Sequence, residues 1–214
     1  MNFSLFHMGN LLLNTAYFPP VTYFSAIEQY GGTYIEQYGN FGKQSYRNRC
    51  EIMTANGVIP LTVPVAKANS KTLVKDLKIV YVTPWQKLHF RGIESAYKNS
   101  PYYEYYIDDL IPFFEKKETF LLDLNNAILE SMLSLLKLDC PIRMTEDYIG
   151  KGVSGYTDLR NAFHPKVNRR QPGADFTVRT YRQTFSDRFP FTPNLSILDL
   201  LFCCGPEARK LLNE

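Results

Sequence analysis

Four candidates in this 214-residue chain have residue types that could do chemistry or hold a ligand. His89 is a candidate general base, because histidine alone titrates near neutral pH unaided. It also stands four residues from both Trp85 and Ile93, so a packed, half-buried histidine is the competing reading. Cys50 is a candidate thiol nucleophile. It falls on the Tyr46, Asn48 and Ile52 side of an alternating segment, where a free cysteine serves equally as a small hydrophobe. Lys43, Arg47 and Arg49 form a basic cluster, and alternate arginines on a strand can grip a phosphate or carboxylate bidentately. A solvated face with surface ion pairs accounts for the same pattern. Asn48 is polar on an otherwise apolar face, which makes it a ligand group or a hydrogen-bond hub.

Aromatic residues supply the next signal, with 15 Tyr and 15 Phe against one Trp. The run Tyr97, Tyr102, Tyr103, Tyr105 and Tyr106 offers rings for stacking on a sugar, or for helix packing beside water. The hydrophobic fraction of 45% and charged fraction of 21% are those of a globular protein and exclude wholesale disorder. A net charge of +3 gives no footprint of a dedicated nucleic-acid binder. Cysteines at 50, 140, 203 and 204 make no C-x-x-C pair, which excludes a disulfide framework or zinc ribbon. The three histidines lie too far apart in sequence for a metal constellation, and no glycine-rich dinucleotide or Walker pattern identifies a cofactor. No signal-peptide pattern and no run of about 18 apolar residues is present, so a soluble, reduced, cytoplasmic protein is expected.

These side chains need elements to hold them. Leu11 to Phe18 reads as a buried strand, Val21 to Tyr30 as a helix ended by Gly31-Gly32, and Thr33 to Tyr38 as a second strand, the seed of a parallel sheet. Gln44 to Thr54, Asn56-Gly57 and Val58 to Val65 predict a hairpin with a type I′ turn, its second arm an edge because of Pro60 and Pro64. Thr72 to Val82 reads as a further strand. Thr83-Pro84-Trp85-Gln86 starts a largely helical insertion over about 84 to 138 with a capping box. Pro141 to Tyr148 reads as a strand, Gly150 to Gly173 as an irregular loop or lid, Phe176 to Phe185 as a strand and Ser196 to Cys204 as a helix. The expected fold is one α/β domain over 1–214, with a mixed, partly parallel sheet and an edge hairpin. Its crevice lies at the strand carboxyl ends, beside Tyr17 to Tyr23 and Glu36 to Lys43, with His89, Arg49 and Tyr97 closing it.

Ordered segments spanning most of the chain resemble the WbqC-like protein family, in the shorter version seen in Bacteroidetes-type sequences. They are Ala16-Tyr-Phe-Pro-Pro-Val-Thr-Tyr-Phe24, Glu36-Gln-Tyr38, Lys43-Gln-Ser-Tyr-Arg-Asn-Arg-Cys50 and Leu61-Thr-Val-Pro-Val65. Trp85 with His89, Ala96 to Tyr106, Asn194 to Leu201 and Gly205-Pro206-Glu207 complete the set. Gly150-Lys-Gly-Val-Ser-Gly-Tyr156 matches the glycine-rich segment of longer relatives in part. The resemblance implies a bacterial O-antigen (surface-polysaccharide) biosynthesis transferase that attaches an amino-acid or acyl group to an amino sugar. His89 and Cys50 would be its catalytic candidates. Tyr17, Tyr23, Glu36, Lys43, Asn48, Arg49, Trp85 and Tyr97 would bind an activated sugar or acyl donor. The alternative is a non-catalytic protein that binds a sugar nucleotide or an acyl-carrier protein within an assembly complex.

Overall fold

The computed structural model describes residues 9–30, 32–69, 71–165, 176 and 178–212. Its centre is a four-stranded parallel sheet in the order β5-β2-β1-β6. The strands are β1 (Asn10–Asn14), β2 (Thr33–Glu36), β5 (Ile142–Met144) and β6 (Tyr156–Asp158). Leu11, Leu12 and Leu13 are all fully buried, because a central parallel strand is covered on both faces and needs no polar side. Helix α1 (Val21–Gln29) links β1 to β2, which pairs with it in register from Leu11↔Thr33 to Asn14↔Glu36. β6 pairs along the other side of β1. The strand order thus turns at β1, which sets a crevice at its carboxyl end.

The fold class is the expected α/β, and the hairpin of β3 (Arg49–Thr54) and β4 (Gly57–Thr62) forms a two-stranded sheet of its own. Its turn differs from the expected type I′: Gly57 carries a positive φ of 99° and Asn56 does not. A tight Ala55-Asn56 link followed by a left-handed glycine closes the hairpin instead. The Thr54 hydroxyl donates to the Gly57 carbonyl at 2.8 Å and tightens it.

Helices α2 (Trp85–Tyr97), α3 (Tyr103–Glu115) and α4 (Leu121–Leu135) make up the insertion, and the hairpin packs against α2. Trp85, His89, Ile93, Ala96 and Tyr97 form the buried stripe that their spacing predicts. Gln86 does not cap its helix. Its amide donates to the Phe113 and Lys116 carbonyls and fastens α2 to the end of α3. Helix α5 (Ile197–Cys204) is capped by the Ser196 hydroxyl. It ends at Gly205, whose φ is +52° and where any Cβ would collide with the Tyr102 ring.

Three expected elements come out differently. Residues 72–82 form a 3-10 turn at Val74–Asp76 and isolated bridges, Val65↔Ile79 and Lys78↔Phe120, because no single neighbour runs alongside for long enough to build a ladder. The glycine-bearing stretch after 150 contributes β6, while residues 166–173 lie outside the described residues. The described part of 176–185 forms no strand. Its side chains are spent on Asp199, a fully buried carboxylate of α5. Asp199 accepts from the Tyr181 hydroxyl at 2.6 Å, the Gln183 amide at 2.9 Å and the Tyr97 hydroxyl at 3.0 Å. A Tyr181→Phe variant removes one donor from a group that water does not reach. Urea denaturation should show a loss of about 1–3 kcal/mol; an unchanged midpoint would refute this account of the segment.

Candidate functional site

The carboxyl ends of the parallel strands surround a polar cavity of about 430 Å³. Its walls come from Asn14 at the end of β1, Glu36 at the end of β2, the segment after β2, and the loops that carry Tyr148, Lys151 and Arg160. Three cationic side chains, Arg47, Lys151 and Arg160, line it against one carboxylate, Glu36.

Glu36 is wholly buried and anchors the site. One carboxylate oxygen accepts from the Tyr38 N–H at 2.9 Å and the Thr145 hydroxyl at 3.0 Å. The other accepts from the Ile149 N–H and an Arg160 N–H, both at 3.0 Å. Arg160 in turn grips Asp158 with two N–H groups, at 2.9 and 2.6 Å, and donates to the Ile149 carbonyl at 2.7 Å. That fork raises the Arg160 guanidinium and holds the Asp158 carboxyl below the usual carboxylate range. With its oxygens occupied, Glu36 serves here as an anchor for Arg160, the role for which substrate binding was the expectation.

Arg47 is placed otherwise. It lies mostly inside, its Nε is buried with no hydrogen-bond partner, and one terminal nitrogen reaches the Ser45 hydroxyl at a long 3.4 Å. Burial lowers its pKa, and repulsion from Arg160 lowers it further. An anion in the cavity would relieve both. Tyr38 and Tyr148 flank the same space, Tyr148 with its ring 5.4 Å from the Arg160 guanidinium. Cations and tyrosines along one cavity suit a sugar phosphate: guanidinium N–H groups can meet a phosphate and rings can meet a sugar.

The expected site residues divide among several places. Lys43, Asn48 and Arg49 do come together, lining a separate cavity of about 280 Å³ with Lys67. Arg47 is not with them, because β3 begins only at Arg49 and strand alternation does not extend back to it. Asn48 donates to the Val63 carbonyl at 2.9 Å. Trp85 lines a large cavity at the start of α2, away from the sheet. Tyr23 borders a space of about 10 Å³ behind Asn14, Arg47 and Arg160, and its hydroxyl donates to the Asn14 carbonyl. Tyr97 is sealed against Asp199.

His89 and Cys50 lie in the core and line none of these cavities. The His89 Nδ1 meets the Tyr17 hydroxyl at 3.0 Å, and the ring also bonds the Thr62 backbone. This is a neutral imidazole satisfied on both sides, and burial pushes its pKa down to about 4. Burial raises the Cys50 thiol well above its ordinary value, which disfavours the thiolate a nucleophile needs. Tyr17, 1% exposed, packs edge-on to Trp85 and completes this cluster. The residues that sequence reasoning passed over are Asn14, Arg47's inward placement, Tyr148, Lys151 and Arg160. Their signal is the paired Asp158 and Arg160 after a glycine-rich stretch, which gains meaning only once β6 is seen beside β1.

Two outcomes follow for solution measurements. His89 stays neutral in the folded chain while the unfolded chain protonates it below pH 6.5. Its contribution is therefore present above pH 6.5 and lost as pH falls toward about 4, about 3 kcal/mol in all. Urea midpoints across that range should fall, and the slope should flatten in His89→Gln; equal slopes in both proteins would sink the assignment. Glu36→Gln leaves Arg160 without its buried partner and should cost about 3–5 kcal/mol in the same assay. A loss no larger than that of a surface substitution would contradict the anchoring role.

The sequence matches the WbqC-like protein family over residues 15–168 and 170–211. It is 26% identical over 227 residues to the "Uncharacterized protein Rv1507c" of Mycobacterium tuberculosis, a match covering 94% of this chain and 96% of that protein. No solved structure matches. Among the described residues no helix is long and apolar enough to cross a membrane, and no three His, Cys, Asp or Glu side chains gather as a metal site. The family match takes in Glu36, Arg47, Lys151, Arg160 and the hairpin alike, and on that extent the chain belongs to the WbqC-like protein family.

Proposed function

We propose that this chain binds the phosphate-bearing part of an activated donor at the carboxyl ends of its parallel sheet. In this reading it serves a transferase step of bacterial surface-polysaccharide biosynthesis, in which an amino-acid or acyl group joins an amino sugar. The observation that carries the reading is Arg47, a largely buried guanidinium whose Nε lacks a partner, lining one cavity with Lys151 and Arg160. Buried polar groups are ordinarily satisfied, and a guanidinium left with free donors beside other cations suits an anion. Tyr38 and Tyr148 would stack on the sugar. The polysaccharide pathway is drawn from the family resemblance, and the anion preference from the residues themselves.

A second reading has its own support. His89 and Cys50 lie in the core and line no described cavity, and the cavity's carboxylate, Glu36, is engaged by four donors. That arrangement favours a non-catalytic sugar-nucleotide binding protein within an assembly complex. Both readings require the same anion site, and they part on turnover.

The test is calorimetric binding of a panel of nucleotide sugars, followed by incubation of each binder with amino-sugar acceptors and acyl or aminoacyl donors. A bound nucleotide sugar should lose about tenfold or more in affinity in Arg47→Gln, with the fold intact by circular dichroism. Affinity unchanged in that variant would remove the site. Binding without any turnover would select the second reading.

A further inference from the structure

We propose that a second cavity, between the start of α2 and the end of α3, binds a single acyl chain carrying an anionic phosphate head. The cavity measures about 870 Å³, within the range of small-molecule sites. It shares no lining residue with the cavity at the strand ends. Its wall is apolar, built from Tyr81, Trp85, Phe90, Ile111 and Phe114. Val82 lines it too while 90% exposed, an apolar surface that an apolar ligand would cover.

The cavity's charges are lopsided. Lys87, Arg91 and Lys117 line it against Glu115, and all four are exposed. Lys87 and Arg91 stand one turn apart on α2, where like charges repel, and among the described residues neither has an ion-pair partner. The first turn of α2, Trp85 to Lys87, opens on the same space. The Trp85 N–H is taken by the Thr83 carbonyl at 2.8 Å, while those of Gln86 and Lys87 have no acceptor within the helix, and the helix dipole adds to their attraction for an anion. A phosphate at this rim would meet two or three cations and the helix end, while a polymethylene chain would fill the aromatic wall. The inference deepens the reading above, since an acyl donor is one of its substrates, and rests on that reading for the chain's role in transfer.

Trp85 is the single tryptophan of the sequence and reports on its own cavity. Dodecyl phosphate below its micelle concentration should change Trp85 fluorescence saturably, and dodecanol should bind about tenfold or more weakly. The double variant Arg91→Gln with Lys117→Gln should remove most of that difference, and Ile111→Asn should weaken both ligands. Circular dichroism checks the fold of each variant. Arg47→Gln should leave dodecyl phosphate binding unchanged. No saturable change in the wild-type protein, or equal binding of the alcohol and the phosphate, would overturn the proposal. So would phosphatidylglycerol vesicles that displace the probe as well as free dodecyl phosphate does, since the occupant would then be a lipid surface. Binding of dodecyl phosphate without any nucleotide sugar leaves this site standing and removes the other; the reverse result removes this one alone.

Discussion

A carboxylate with no access to water must be met by donors or it will not stay ionised and buried. Glu36 stands at the end of β2 under that requirement. Its four donors come from residues 38, 145, 149 and 160. These belong to the segments that follow β2, β5 and β6, so satisfying one side chain gathers the carboxyl ends of three strands. The Arg160 that completes the set also donates to Asp158 and accepts, through its carbonyl, from the Asn14 amide at the end of β1. The polar cavity is therefore a by-product of the knot that closes the sheet's end. Its free cations are those the knot does not consume.

The hairpin and helical insertion obey a different rule, one of apolar cover. One side of β3 must be sealed, and α2 supplies the seal with the stripe from Trp85 to Tyr97. His89 sits within that seal, and Tyr17 reaches it from the segment after β1. The two ring systems tie the parallel sheet's outgoing chain to the helices through a neutral hydrogen bond. The resulting division is spatial: polar side chains collect at the strand ends, while His89 and Cys50 lie buried in the seam.

Much of the fold was legible because it is written in local patterns. Leu11–Leu13, the hairpin around Gly57 and the i, i+4 stripe of α2 each declare themselves within a short window. The fold class and the crevice at the strand ends followed from the strand–helix–strand start. What escaped was non-local. β6 has three residues in a glycine-bearing stretch, and only its pairing with β1 makes it a strand. Arg160 meets Glu36 across 124 positions, a separation that no spacing rule anticipates. Residues 176–185 read as a strand from sequence, yet Tyr181 and Gln183 are recruited by Asp199 instead. Composition pointed to tyrosines as a site wall. Of the dense run from 97 to 106, Tyr97 and Tyr103 pack on Phe202 of α5 while Tyr105 is exposed, and two other tyrosines, Tyr38 and Tyr148, line the cavity.

Residues 18–22 and 194–197 are sewn together. The Asn194 side chain accepts from both the Thr22 N–H and its hydroxyl, the Ser196 hydroxyl donates to the Phe18 carbonyl, and the Ile197 N–H donates to Pro19. These contacts span some 170 positions or more. During synthesis the first strand and helix leave the ribosome long before the segment that covers them exists. The docking of α5 on α1 therefore joins segments far apart in sequence and carries a high loop-closure entropy. A nascent chain still lacking α5 would leave the side of α1 that packs on it turned to neighbours in the cell instead.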